Sequence, residues 1–290
     1  MKALKLIILP VIGFFSLFLQ HCKEKKETGP QLIFKFKLDS TQVRLNNFGQ
    51  PQPLPSGHAG QSPRFNGISA HYVEMTQNEF TQVGEGEVLF INEETTAGGD
   101  KAIRFDKEVI VADGETFLTV PLEAVAPGTY EYLRVSLAYQ NYDVDLLASG
   151  YSLTGTVASF VGYNTYITSF KVKDSTVVVN GNRLQGYWAF ETKNAPVPVP
   201  VQTGQAPGTT VVNPIFATSP VPNGSCLVTG AFSSPLVISG NETEDIVITV
   251  SVSINKSFEW VEVNTDGIWE PLAGETVVDM GLRGLIPMVN

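Results

Sequence analysis

Two histidines beyond the first 21 residues are the side chains best suited to bind a transition metal. His58 lies in Ser-Gly-His-Ala-Gly, and His71 lies in Ser-Ala-His-Tyr-Val-Glu-Met. A metal site needs several ligands within about 2.0–2.5 Å of one ion. Met75, which strand spacing puts on the same face as His71, would lie about 13 Å from it. The sequence has no His-x-His pair. We therefore predict that both histidines hydrogen-bond to neighbouring groups. They remain weak candidates for metal ligands.

Three oxygen-bearing side chains alternate at Asn141, Asp143 and Asp145, a spacing similar to that of a calcium loop. The glycine that permits the sharp turn of such a loop and the distal bidentate glutamate are both missing. We therefore expect a solvated face with hydrogen-bonded acids.

Catalytic motifs are missing from the sequence. Nucleophilic catalysis needs a serine or cysteine beside a base, and the chain has no Gly-x-Ser-x-Gly elbow. The stretch Gly84-Glu85-Gly86-Glu87 puts acids where a phosphate would have to sit. A carboxylate pair for sugar hydrolysis cannot be chosen among 29 acidic residues without geometry. The sequence therefore predicts a non-catalytic protein with no catalytic residue and no cofactor.

Aromatic side chains are the remaining resource for binding. Six lie close together in the sequence, namely Tyr139, Tyr142, Tyr151, Phe160, Tyr163 and Tyr166, and Trp188, Trp260 and Trp269 follow. Tyrosine and tryptophan can stack on sugars or other ligands, but in a β-protein they mostly fill the core. Core filling is the interpretation that we favour.

The elements that must position these residues are strands. Leu32-Ile33-Phe34-Lys35-Phe36-Lys37-Leu38 alternates apolar and charged residues, which is typical of a half-buried strand. Similar segments recur along the chain, and long helical periodicity is missing. The sequence predicts an all-β protein, an antiparallel β-sandwich. The best helix candidate is short, Asn141 to Ala148. Asn180-Gly181-Asn182 predicts a tight hairpin turn.

A proline-rich excursion at residues 194–224 interrupts this pattern and holds seven of the 18 prolines. Proline lacks the backbone donor that a sheet needs, so the excursion predicts an extended surface segment or edge cover. It could also mark a domain boundary, but residues 225–290 are marginal as an independent sandwich. We predict one β-sandwich domain over residues 31–290.

The N-terminus has the features of an export signal. Residues 1–21 combine Lys2 and Lys5 with an apolar run that is too short to span a bilayer comfortably. Cys22 follows directly and resembles the lipidation site of bacterial lipoproteins, and residues 22–30 read as a polar tether. The resemblance implies a signal peptide over residues 1–21 and a bacterial outer-membrane protein, periplasmic or surface-exposed, anchored in the lipid bilayer through acylated Cys22. A non-lipidated signal peptide and an uncleaved anchor are the alternatives.

The second cysteine and the charge balance limit the partners further. Acylation of Cys22 would leave Cys226 without a disulfide partner, and its strand-like surroundings predict a buried thiol. The chain has 19 basic and 29 acidic residues, for a formal net charge of −10. Because a negative protein repels phosphate backbones, a nucleic-acid partner is not expected.

Several short motifs resemble one family when they are taken in order. They are Phe65-Asn66-Gly67-Ile68-Ser69-Ala70-His71-Tyr72-Val73-Glu74-Met75, Ala126 to Leu137, Gly186-Tyr187-Trp188-Ala189-Phe190-Glu191, and Ile246 to Phe258. Together they are similar to the MbnP-like family of exported β-sandwich proteins, whose founding members bind copper through histidines and a modified tryptophan. No copper ligand can be matched to a residue of this chain. The leading expectation is an envelope lipoprotein that binds a small ligand or an envelope protein or plays a structural part. Copper handling of the MbnP type is the alternative, and a secreted hydrolase is a third hypothesis, with which the aromatic clusters and acidic residues are compatible.

Overall fold

Strands account for nearly all regular structure in the described part of the chain. A computed structural model describes residues 29–206, 222 and 224–290. The strands are β1 Gln31–Asp39, β2 His58–Gln61, β3 Arg64–Thr76, β4 Glu87–Ile91, β5 Glu94–Thr95, β6 Ala102–Arg104, β7 Thr116–Pro121, β8 Gly128–Ala148, β9 Tyr151–Phe160, β10 Asn164–Lys171, β11 Thr176–Leu184, β12 Tyr187–Lys193, β13 Gln202–Gln205, β14 Cys226–Ile238, β15 Ile246–Ser253, β16 Phe258–Val261, β17 Val277–Met280 and β18 Leu285–Val289. The described residues contain three short 3₁₀ turns, Phe105–Lys107, Leu122–Ala124 and Pro271–Ala273, and no α-helix. The all-β prediction is confirmed.

Some predicted features lie outside the described residues. They are the signal peptide, the lipidation residue Cys22, the tether up to residue 28, and residues 207–221 and 223 of the proline-rich excursion. In the part of the chain that is described, no helix is long and apolar enough to cross a bilayer.

The strands form four sheets. The largest has the order β13-β12-β9-β8-β3-β4, with β14 also paired to β8. The smaller sheets are β18-β15-β1-β7, β11-β10-β6-β5 and β17-β16-β2. Most pairs are antiparallel, but β1 runs parallel to β15, and β6 runs parallel to β10. Strand β3 lies along one edge of β8, while β14 and then β9 pair along the other.

The main core lies between the large sheet and the sheet that contains β1. Leu32, Phe34 and Phe36 are fully buried on one face of β1, as its alternation predicts. They belong to one apolar cluster with residues of β7 and β15 and, from the large sheet, residues of β3, β8 and β14. This arrangement is the expected packing of two sheets around one core.

Two further clusters cover other parts of the large sheet. One joins β8 and β9 to the β17-β16-β2 sheet through Tyr142, Val157, Phe258 and Trp260. The other joins Phe160 of β9 and Tyr187 of β12 to β10. The odd-numbered residues Leu133, Val135 and Leu137 of β8 enter the main core, whereas the even-numbered Tyr142, Val144 and Leu146 enter the second cluster. The core residues of β8 therefore switch from odd-numbered to even-numbered positions between the two clusters, and we call this switch the phase change of β8.

Two local predictions were wrong. Residues 141–148, predicted as a short helix, form the second half of β8, because β9 pairs with them over their whole length. The predicted hairpin turn at Asn180-Gly181-Asn182 lies inside β11, which pairs with β10. Asn180 does have a positive φ of 51°, but it accompanies a shift of register in that pair and not a reversal of the chain.

The described part of the proline-rich excursion behaves as predicted. Residues 196–200 are exposed and belong to no strand. Strand β13 then pairs with β12 and is the outermost strand of the large sheet. Proline is compatible with this position because an edge needs fewer backbone donors.

Candidate ligand-binding cavities

His58 belongs to a buried ionic cluster at the β2–β16 pair. Its Nδ1 lies 2.5 Å from Oε1 of Glu259, and the other oxygen of Glu259 accepts a hydrogen bond from the Arg44 guanidinium. Arg44 also donates to the backbone oxygens of Gln52 and Pro53. These contacts give the carboxylate of Glu259 two cationic or hydrogen-bonding partners, so the role of His58 here is to complete the cluster.

His71 lies in a different place, on a bulge of β3. Strand β8 pairs with Ala70 and Tyr72 at consecutive positions, so His71 is the extra residue. Its side chain is fully buried, with Nε2 3.3 Å from Oε1 of Glu94 and its ring 5.7 Å from that of Tyr163. Met75 instead enters the main core. The prediction that His71 and Met75 share a face was therefore wrong, because the bulge reverses the alternation between them.

Glu94 is the acceptor at the centre of this second cluster. The Tyr163 hydroxyl donates to Glu94 Oε1 over 2.7 Å, and the Lys101 ammonium lies 2.5 Å from Oε2. Burial opposes ionisation, but the partners His71, Lys101 and Tyr163 outweigh it and lower the pKa of Glu94 to about 2. The two histidines thus contact different carboxylates. Among the described residues, no three His, Cys, Asp or Glu side chains converge as a metal site requires.

The alternating acids of β8 are paired with basic side chains. Arg64 binds both oxygens of Asp145 at 2.7 and 2.8 Å. Lys173 lies 3.0 Å from Asp143, which also accepts from Thr156. The predicted face of hydrogen-bonded acids is confirmed at Asp143 and Asp145.

Most of the clustered aromatic residues fill the core, as predicted. Tyr139, Tyr142, Phe160, Tyr163 and Trp260 are buried. Tyr151, Trp188 and Trp269 are different, because they line a cavity of about 710 Å³ on the large sheet. We call it the aromatic cavity.

The floor of the aromatic cavity is built from alternating residues of neighbouring strands. Val157 of β9 stands opposite Phe190 of β12, and both line the cavity. The Phe190 ring lies directly over Gly155, where a Cβ atom would be only 2.0 Å from its Cζ. Trp269 closes one side, with its ring 5.8 Å from Phe190 and 4.9 Å from Phe258. This set of interlocked rings makes a preformed apolar surface.

Exposed apolar side chains form the rim of the same cavity. Tyr151 is 52% exposed, Val197 is 64% exposed and Leu272 is 73% exposed. Val197 comes from the proline-rich excursion and Leu272 from the 3₁₀ turn after Trp269. Contiguous apolar groups in water are typical of a binding surface, whereas single ones are not informative.

A second cavity, of about 630 Å³, lies over the point where β8 changes phase. Leu137 and Gln140 of β8 both line it. Five of its side chains are carboxamides, namely Asn46, Asn47, Gln52, Gln140 and Gln185, and we call it the amide cavity. Ala206, Val277 and Met280 line both cavities, so the two adjoin.

Cys226 also lines the amide cavity, as the first residue of β14. Burial, with a smaller contribution from the nearby Asp279 carboxylate, raises the pKa of its thiol to about 12. A thiol with so high a pKa stays protonated at neutral pH and is a poor nucleophile. The high pKa fits an unreactive structural thiol, but Cys226 is half-buried at the cavity wall and not fully buried as predicted.

Comparisons with known proteins add no further assignment. No family model matches the chain, and neither the curated proteins nor the solved structures include a match.

Sequence reasoning placed tryptophans among the candidates for stacking but did not find the cavities. Residues that meet in them come from distant parts of the chain, as Gln140 and Met280 do. The carboxamides carried no signal, because isolated Asn and Gln residues have no characteristic spacing. The exposed Pro-Val repeat at residues 196–199 is the one local feature that could have suggested an apolar rim.

Proposed function

We propose that this protein is a lipid-anchored binding protein of the bacterial envelope, without catalytic activity, that holds a small apolar ligand in the aromatic cavity. Export and anchoring rest on the sequence of residues 1–22. Ligand binding rests on one observation, the cavity of about 710 Å³ lined by Tyr151, Trp188, Phe190 and Trp269. Its volume is within the range of roughly 300–1,000 Å³ that is usual for small-molecule sites.

The exposed apolar rim would supply free energy for ligand binding. Leu272 and Val197 expose most of their apolar surface, and burying such surface stabilises by roughly 25 cal/mol per Å². An apolar ligand that covers both side chains would therefore gain free energy from surface that folding leaves in water. The floor needs little rearrangement, since Phe190 is held between Gly155 and Trp269, and a preformed floor lowers the entropy cost of binding.

Photolabelling of the full-length chain tests this proposal. The protein is expressed with its own leader, reconstituted in lipid nanodiscs and exposed to an uncharged decyl probe that carries a diazirine. We expect adducts on peptides that contain Trp188 and residues 269–272. The Leu272→Asp variant puts a charge on the rim, and its labelling should fall about tenfold, because a charged carboxylate beside the chain must be desolvated.

The control introduces an aspartate at an exposed apolar residue outside the aromatic cavity. Val178 is 68% exposed on β11, and Val178→Asp should label like the wild type. Adducts spread evenly over the surface, or equal labelling of Leu272→Asp and Val178→Asp, would show that the aromatic cavity is not a ligand site.

A further inference from the structure

We infer that the ligand is an amphipath with an uncharged, hydroxyl-rich head, and that this head occupies the amide cavity while its tail occupies the aromatic cavity. The inference rests on the proposed function and names its ligand class. Three observations carry it: the carboxamide lining, the neutralised charges of the amide cavity, and the residues that both cavities share.

Carboxamides match hydroxyl groups because both groups donate and accept hydrogen bonds. Two of the amides have their donors engaged by the protein. Gln140 Nε2 donates to the backbone oxygen of Met280 over 2.5 Å, and Gln185 Nε2 donates to that of Val161 over 3.1 Å. The Oε1 atoms of Gln140 and Gln185 are buried and have no hydrogen-bond partner among the described residues. A buried acceptor without a donor is costly, and a ligand hydroxyl would supply that donor.

The position of Gln140 is set by tight packing. A Cβ atom on Gly281 would lie 2.1 Å from Gln140 Nε2, and the φ of Gly281 is +137°. The chain after β17 therefore passes directly against the Gln140 amide. This contact holds the Gln140 amide in place, and we infer that this amide contacts the head group of the ligand.

The charged residues of the amide cavity are already paired. Arg283 donates to the carboxylate of Asp279, to the backbone oxygen of Leu45 at 3.1 Å and to Oε1 of Gln52 at 2.9 Å. Burial raises the pKa of Asp279, and Arg283 opposes that shift. An ionic head would lose its hydration without gaining a free counter-charge, which is unfavourable. The cavity therefore favours an uncharged head.

The shared wall places the two cavities within reach of one ligand. Val277 and Met280 of β17 line both of them, as does Ala206. Phe48, on the polar side, is 63% exposed, and an exposed ring can stack on the apolar face of a sugar. A neutral glycoside with an alkyl chain has both required parts.

Three photoreactive probes with the same decyl-diazirine chain test the head group. Their heads are maltoside, sulfate and trimethylammonium, and each is offered to the full-length chain in nanodiscs at equal membrane concentration. We expect the maltoside probe to label the aromatic cavity about tenfold more than either charged probe, the effect of about one net hydrogen bond. The Phe48→Ala variant should lower labelling by the maltoside probe alone.

A charge-switch variant makes the test specific. Gln185→Glu puts an anion in the amide cavity, so maltoside labelling should fall and trimethylammonium labelling should rise. Gln82→Glu, at an exposed loop position, is the matched control and should change neither. Equal labelling of the aromatic cavity by all three probes would overturn this inference while leaving the proposed function intact. Labelling of the cavity by none of the probes would overturn both.

Discussion

The carboxyl group of Glu108 makes the stability of this protein depend on pH near neutrality. Glu108 follows the 3₁₀ turn Phe105–Lys107, and its Oε1 accepts from Asn92 Nδ2 at 2.7 Å. Its Oε2 is buried with no hydrogen-bond partner among the described residues. Burial raises the pKa of Glu108 from its ordinary 4.5 to about 7, although the nearby Ser69 hydroxyl and the hydrogen bond from Asn92 oppose the shift.

The sign of the effect follows from proton linkage. A carboxyl whose pKa is higher in the folded state contributes stability that is fully present below about pH 4.5 and is lost as the pH rises through about 7. The ionised form costs up to about 3 kcal/mol, since each pKa unit corresponds to about 1.4 kcal/mol. Glu108→Gln is neutral at every pH and keeps an oxygen for Asn92, so it should escape this loss.

Urea unfolding between pH 4.5 and 8.5 measures the difference. We expect wild type and Glu108→Gln to have similar free energies of unfolding at pH 4.5, and the variant to be more stable by about 2–3 kcal/mol at pH 8.5. Glu123→Gln, at an exposed position, is the control and should follow the wild type. A constant difference between Glu108→Gln and wild type across the range would refute this reasoning.

Three further experiments have expected outcomes. Arg134→Met should lower the free energy of unfolding by about 3–5 kcal/mol in urea titration, because it leaves the fully buried Glu74 carboxylate without its cation. Arg104→Met, at a half-buried residue whose ion pairs lie near the surface, should cost less than about 1 kcal/mol, and similar losses for both variants would contradict the argument. Cys22→Ala should abolish incorporation of radiolabelled palmitate and move the protein to the soluble fraction, whereas undiminished labelling would disprove the anchor. Copper titration should show no tight stoichiometric uptake, since His58 and His71 contact different carboxylates. Tight uptake lost in both His58→Ala and His71→Ala would favour copper handling instead.

The sequence by itself determined which segments are strands wherever alternation and proline act locally. Leu32, Phe34 and Phe36 alternate with Lys35 and Lys37, and the former are buried as predicted. The prolines at residues 196–200 kept their segment out of the sheet interior. Both effects depend on neighbouring residues alone, through the period of a strand and the missing donor of proline.

Tertiary structure decided what those patterns leave open. The segment at residues 141–148, whose sequence predicted a short helix, became a strand because β9 pairs with it. His71 faces Glu94 and not the core of Met75, because a bulge formed where β3 pairs with β8. The amide cavity exists because β8 changes phase between two cores and brings Gln140 beside Met280. Bulges and phase changes arise from the partner strand, so no local pattern in the sequence records them.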